Sequence, residues 1–180
     1  MTVYTIGHST RSIEAFIQML RAYAIENVVD IRTIAKSRHN PQYNEDELQR
    51  SLEGEDIGYI RFPGLGGLRH TTKGSINTGW HNASFRGYAD YMQTPQFQEH
   101  LERLIDIARE KKTVILCAEA VPWRCHRSLV ADALSVRGIA VLDILGETGV
   151  RPHTLTGFAE IRGTRITYPG TGFAPGTKRN

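Results

Sequence analysis

TVILCAEAVPWRCHRSLVADALSVRGIAVLDIL, residues 113–145, reads as strand, loop, helix and strand in that order. Thr113 to Cys117 is a short, continuous apolar run, as expected of a strand buried on both faces. From Cys125 to Arg137 the side chains of Leu129, Val130, Ala133 and Leu134 recur at the spacing of one helix face, and Gly138 provides a stop. Ile139 to Leu145 is apolar again. Two strands joined through a helix of this length need a crossover, and such crossovers are overwhelmingly right-handed and lay the second strand parallel to the first. The unit predicts a parallel sheet covered by helices on both faces.

The rest of the chain continues this alternation. Val3 to Ile6 is β-prone, and Ile13, Phe16, Ile17 and Leu20 follow at helical spacing behind Ser12, a suitable N-cap. Val28 to Ile31 is a second strand. After the polar stretch TIAKSRHNPQYN, the segment NEDE begins a helix in which Asn44 caps and Glu47 reaches back, with Gly54 closing it. Tyr59 to Phe62 gives a third strand, followed by PGLGGLR, residues 63–69, where glycine lets the chain bend sharply and offer bare backbone. Residues 70–84 read as irregular. Thr94 and Pro95 then open a helix with Phe97, Leu101, Leu104, Ile105 and Ala108 on its apolar face.

The expected fold class is α/β: a doubly wound, Rossmann-like, mainly parallel five-stranded sheet within a core domain of residues 1–147, with helices on both faces. Beyond Gly146, FAEI and TRITY flank Arg162 and Gly163 and predict a small C-terminal hairpin, part of an extension over residues 148–169 that packs on the core. Residues 170–180, GTGFAPGTKRN, lack an apolar face and are expected to form a flexible tail.

Composition narrows the class. A chain of 180 residues that is 40% hydrophobic and 23% charged can bury a core without staples. It has no apolar run near the roughly 18 residues of a membrane span and no signal-like start, so a cytoplasmic location without membrane partners is expected. Two cysteines are too few for a secreted disulfide framework; free thiols, ligands or reactive groups are expected. A net charge of +3 permits an anionic partner without demanding one.

In open α/β sheets ligands sit outside the carboxyl ends of the strands. The loops leaving there are GHSTR, RTIAKSRHNPQY, PGLGGLRH and CAEAVPWRCHR, and they concentrate His8, Ser9, Arg32, Ser37, Arg38, Arg69, Cys117, Glu119, Arg124, Cys125, His126 and Arg127 at one edge.

The blocks YTIGHSTRSIEAF, VVDIRTIAKSRHNPQYN, LGGLR, FRGYADYM, CAEAVPWRCHR with LVADAL, and RPHTLTGFAEIRGTRITYP resemble those of the domain of unknown function 488 family, from about Tyr4 to Pro169. The pairing of CAE with CHR is its most distinctive part. The resemblance reinforces the expected fold and supplies no reaction. Ala35 and Gly157 stand where the family blocks often have proline, which implies two softer loops.

Roles follow from the residues. Arg32 leaves a strand just after Asp30, with Lys36 and Arg38 close behind, and guanidinium forks hold phosphates or carboxylates through paired hydrogen bonds. An anion pocket from Arg32, Ser37, Arg38, Ser9, Arg69 and Arg127 is one reading; a structural pair of Arg32 with Asp30 or Glu119 is the other. Gly66 and Gly67 offer backbone donors to an anion or merely a tight turn, and neither GxGxxG nor a P-loop pattern occurs. His8 is a candidate acid, base or ligand.

The opening stretch supports three chemistries. A phosphatase-like thiolate loop is disfavoured, because six residues separate Cys117 from Arg124 where that pattern has five, and Glu119 would repel the anion. Cys117, Cys125, His126 and His8 form a soft ligand set for zinc or iron, a reading weakened if Cys125 and His126 diverge on a helix. In the third, Cys125, His126 and Arg127 occupy a first helical turn that favours an anion or thiolate, with Glu119 orienting a neighbour or acting as base. Packing is the alternative for Cys117; Trp123, Phe85, Tyr88 and Tyr91 are candidates to stack on a base, with core packing the alternative for Tyr88 and Tyr91 at their helical spacing.

Candidate catalytic residues are therefore Cys117, Glu119, His126 and His8. Candidate ligand-binding residues are Ser9, Arg32, Ser37, Arg38, Gly66, Gly67, Arg69, Cys125 and Arg127. The favoured function is an enzyme or enzyme-like domain binding a small phosphorylated or carboxylated ligand, nucleotides included. The alternatives are a nucleic-acid-binding accessory protein, for which the basic end at Lys178 and Arg179 speaks, or a Cys/His metal-binding protein. No motif requires a cofactor or specifies an oligomer. Cations gathered in one pocket would favour the small ligand; cations spread along a groove would favour nucleic acid.

Overall fold

The computed structural model describes residues 1–170, so the expected tail lies outside the described residues apart from Gly170. The elements are β1 (Thr2–Gly7), α1 (Ile13–Ala22), β2 (Asn27–Asp30), α2 (Glu45–Glu53), β3 (Gly58–Arg61), α3 (Ala83–Tyr91), α4 (Pro95–Glu110), β4 (Thr113–Cys117), α5 (Arg127–Ser135), β5 (Ala140–Ile144), β6 (Val150–Pro152), β7 (Glu160–Arg162) and β8 (Arg165–Thr167). The main sheet runs β3-β2-β4-β1-β5-β6, and β7 and β8 form the separate C-terminal hairpin. Strands β1 to β5 are mutually parallel, as the crossover pattern requires.

The expected count of five strands becomes six. Val150–Pro152 pairs antiparallel with β5 from Leu142 to Ile144, so part of the predicted extension completes the sheet. Three exposed residues ending in proline carry no alternation that would reveal a strand.

Strand order explains where a site can form. The chain passes from β1 over the β4 position to β2, and later from β4 over β1 to β5. With right-handed crossovers, these opposite directions place the connecting helices on opposite faces. Packing agrees: Phe16, Met19 and Leu20 of α1 and Leu48 and Leu52 of α2 join one core with Tyr4, Ile6, Val114 and Leu116. Residues of α3, α4 and α5 join the other, with Val3, Val29, Ile115 and Cys117. The topological switch point thus lies between β1 and β4, adjacent strands whose loops leave to different faces. Gly7 is opposite Cys117 there. A Cβ at Gly7 would overlap the Glu119 carbonyl, so glycine at this position lets the two departing loops touch.

Local expectations were refined in three places. Ser12 caps α1 through Ala15 N–H and Thr94 caps α4 through Phe97 N–H. Asn44, however, makes no side-chain cap; its Oδ1 accepts from Ser37 N–H, while Glu47 pairs with Arg50. The FRGYADYM block is largely helix α3, capped by Asn82, where Gly87 admits the Arg69 and His70 backbone. Finally, α5 starts at Arg127 rather than Cys125, because Pro122–Arg124 forms a 3-10 turn that leaves Cys125 extended and His126 at the N-cap.

Candidate functional site

The loops after β2, β3 and β4 and the start of α3 enclose a cavity of about 350 Å³ lined by Arg32, Thr33, Ile34, Gly67, Leu68, Ser84, Phe85, Cys117, Ala118, Glu119, Arg124, Cys125 and His126. Ile34 and Leu68, 64% and 67% exposed, give its mouth an apolar part.

One wall rests on a buried charge network. The Nε and Nη2 of Arg32 donate to both oxygens of Asp30, which also accepts from Tyr59 Oη at 2.8 Å. Arg32 and Asp30 are 5% and 0% exposed, so this ion pair is a fixed part of the wall. His8 sits behind it, stacked on Tyr43 with ring centroids 4.1 Å apart. Its Nδ1 lies 2.7 Å from the Ser9 carbonyl and its Nε2 3.3 Å from Arg32 Nη1. Since the carbonyl can only accept, Nδ1 carries the proton and Nε2 accepts from the guanidinium. Burial lowers the His8 pKa to about 4, and nearby Arg32 adds to the effect against the Ser9 hydrogen bond. His8 is therefore a neutral imidazole that holds Arg32 in place.

The floor is sulfur and imidazole. Cys117 comes from the end of β4, and Cys125 and His126 from the turn into α5. His126 Nδ1 lies 3.9 Å from Cys117 Sγ and 3.8 Å from Cys125 Sγ, and the three donor atoms all lie within 4.8 Å of one another. Because α5 begins only at Arg127, the geometric objection to Cys125 and His126 acting together disappears. The His126 ring packs against Tyr88 with centroids 5.0 Å apart, while a Cβ on Gly67 would come within 2.8 Å of His126 Cγ. Bare backbone on one side and a phenol on the other fix the imidazole. Both thiols are buried and free. A hydrogen bond from Cys117 lowers the Cys125 pKa well below the ordinary thiol value, against the opposing effect of burial and with help from His126 and Arg127. The same hydrogen bond, with burial, pushes Cys117 up. The Arg127 N–H also approaches Cys125 Sγ at 3.5 Å.

A family model, Domain of unknown function DUF488, matches residues 12–134, more than half of the chain. The chain belongs to the DUF488 family. The match runs from α1 to the penultimate residue of α5 and hence holds every residue lining the cavity, while β1, β5 and the C-terminal extension lie outside it. No curated protein and no solved structure gives a significant match.

In this DUF488 chain the sequence candidates separate into distinct places. Cys117, Glu119, Cys125, His126, Arg32 and Gly67 line the cavity together. His8 and Ser9 lie behind the wall, and His8 stands outside the three-residue sulfur and imidazole cluster. Ser9, at φ 53°, donates its N–H to the Ala118 carbonyl, bracing the β4 loop. Arg127 is 1% exposed and donates to the Glu119 and Ala120 carbonyls, so it clamps that loop from beneath. Arg69 donates to the Gly64 and Gly66 carbonyls and lies 3.6 Å over the Tyr91 ring. Buried Gly66 is tight against Thr33. Ser37 bonds within its own loop, and neither Ser37 nor exposed Arg38 lines the cavity.

The aromatic candidates are also distributed. Tyr88 and Tyr91 donate to the Leu65 and Gly64 carbonyls, and Trp123 carries the Arg151 guanidinium 4.6 Å over its ring. Phe85 lines the cavity and stacks on Trp80. Sequence reasoning missed Thr33, Ile34, Leu68, Ala118 and Ser84. The loop after a strand end gave a signal for the first four; Ser84 belongs to a segment that reads as irregular.

Proposed function

We propose that this protein is an enzyme-like domain that binds a small molecule bearing an anionic group and an apolar body, with Cys117, Cys125 and His126 as its reactive floor. The observation that carries this reading is the convergence of those three side chains in one cavity beside the topological switch point, where open α/β sheets receive ligands. Exposed Ile34 and Leu68 suit the apolar body. Exposed Arg124 at the cavity supplies a cation for the anionic end, and Glu119, also exposed there, an acid or base. Arg32 forms wall rather than a free anion hook, because its fork already faces Asp30.

The distribution of positive charge favours this over nucleic-acid binding. Arg21, Arg50, Arg61, Arg109 and Arg137 each pair with a carboxylate, which lessens what these five can offer a phosphate backbone. The basic residues Lys178 and Arg179 lie outside the described residues. No helix of the described residues is long and apolar enough to cross a membrane.

The test is a saturation-transfer NMR screen of small phosphorylated and carboxylated compounds against the wild type and a Ser84→Trp variant, in which the indole fills the cavity. Hits that bind the wild type and lose the variant support the reading. Hits indifferent to the indole, together with tight salt-sensitive binding of an oligonucleotide, would overturn it.

A further inference from the structure

We propose that Cys117, Cys125 and His126 bind one soft divalent transition-metal ion, zinc foremost, leaving its fourth coordination position open to the cavity. This deepens the reading above and rests on it for the open position alone; the three ligands stand on their own geometry. Tetrahedral zinc with Zn–S near 2.3 Å and Zn–N near 2.0–2.1 Å places its sulfur and nitrogen ligands about 3.6 Å apart. The observed separations of 3.9 and 3.8 Å from His126 Nδ1 to the two sulfurs need only a few tenths of an ångström of contraction. Two sulfurs and an imidazole nitrogen are the donor set that selects zinc over calcium or magnesium.

The surroundings hold this arrangement. The strand end fixes Cys117, the 3-10 turn Pro122–Arg124 presents Cys125, and the contact with Gly67 and Tyr88 orients His126 through Nδ1. The Arg127 N–H directed at Cys125 Sγ supports a ligating thiolate, and two thiolates balance a divalent ion. Three protein ligands with a free position facing a lined cavity are the pattern of a catalytic rather than a structural zinc site. The open position would take water or an oxygen of the anionic ligand. Glu119 would be the base beside it.

The test is titration of Co2+ into the reduced, chelator-treated full chain. The expected result is one equivalent bound with the visible bands and near-ultraviolet sulfur-to-cobalt charge transfer of a tetrahedral thiolate site, displaced by Zn2+. Cys117→Ser, Cys125→Ser and His126→Gln should each weaken binding more than about 100-fold, beyond what loss of a supporting contact produces. X-ray absorption of the zinc-loaded wild type covers the case of a variant that fails to fold, and should find two sulfur neighbours near 2.3 Å. A spectrum without thiolate character, or a zinc shell without sulfur, would overturn the metal. The ligand screen on the metal-free wild type is a separate readout: hits lost in Ser84→Trp would keep the cavity reading even then.

Discussion

His153 ties the chain after β6 to α5, the helix that begins at the candidate site, and it does so with charge. Its Nε2 lies 2.7 Å from Asp132 Oδ1 and its Nδ1 3.8 Å from Asp143 Oδ2, with all three side chains almost fully buried. Burial alone would favour the neutral ring, but the two carboxylates win and raise the His153 pKa from 6.5 to about 9. Tyr168 donates to Asp132 Oδ2 and Thr5 to Asp143 Oδ1, and Tyr168 itself stays neutral because burial and Asp132 push its pKa well above 10. Converted at about 1.4 kcal/mol per pH unit, the raised His153 value is worth roughly 3 kcal/mol of folding free energy. The fold binds this proton more tightly than the unfolded chain. The contribution is therefore complete below pH 6.5, is lost as pH rises, and is gone above about 9. Urea unfolding of the wild type and His153→Gln, from about pH 6 to about pH 9.5, reads this directly. The wild type should lose stability across that window and the variant should not, so the gap between them closes. Parallel pH profiles for the two proteins would refute the charged bridge.

Two further outcomes follow from the site. Arg32→Ala leaves Asp30 buried without its cation and should cost about 3–5 kcal/mol in urea unfolding; an unchanged midpoint with weakened anion binding would make Arg32 a ligand group instead. Gly67→Ala places a methyl against the His126 ring, so Co2+ affinity should fall about ten-fold with the far-ultraviolet spectrum unchanged, and unchanged affinity would mean that the ring is not held there.

Much of the fold was legible because two periodicities alternate cleanly. The continuous apolar run of β4 and the spaced Leu129, Val130, Ala133 and Leu134 of α5 mark a covered strand and a helix, although α5 is buried on nearly every side rather than along one stripe. Strand ends then placed Cys117, Cys125 and His126 at one edge. What stayed hidden depends on distant partners. An arginine in a loop reads the same whether it awaits a ligand or clamps carbonyls, as Arg69 and Arg127 do. No helix was read over α3, where Gly87 interrupts the pattern and its missing side chain lets the Arg69 backbone pass. The two-residue error at the start of α5 came from Pro122, which opens a 3-10 turn before the helix, and it mattered: it concealed that Cys125 and His126 can face the same point.

Backbone amide shift mapping with a hit from the anionic library tests the central claim most directly. The largest changes are expected at Thr33, Gly67, Ser84, Ala118 and Arg124, the residues around the sulfur and imidazole floor. Changes centred instead on the separate cavity at Trp123, Arg151 and His153, or dispersed over exposed arginines such as Arg50 and Arg109, would contradict the assignment of the site.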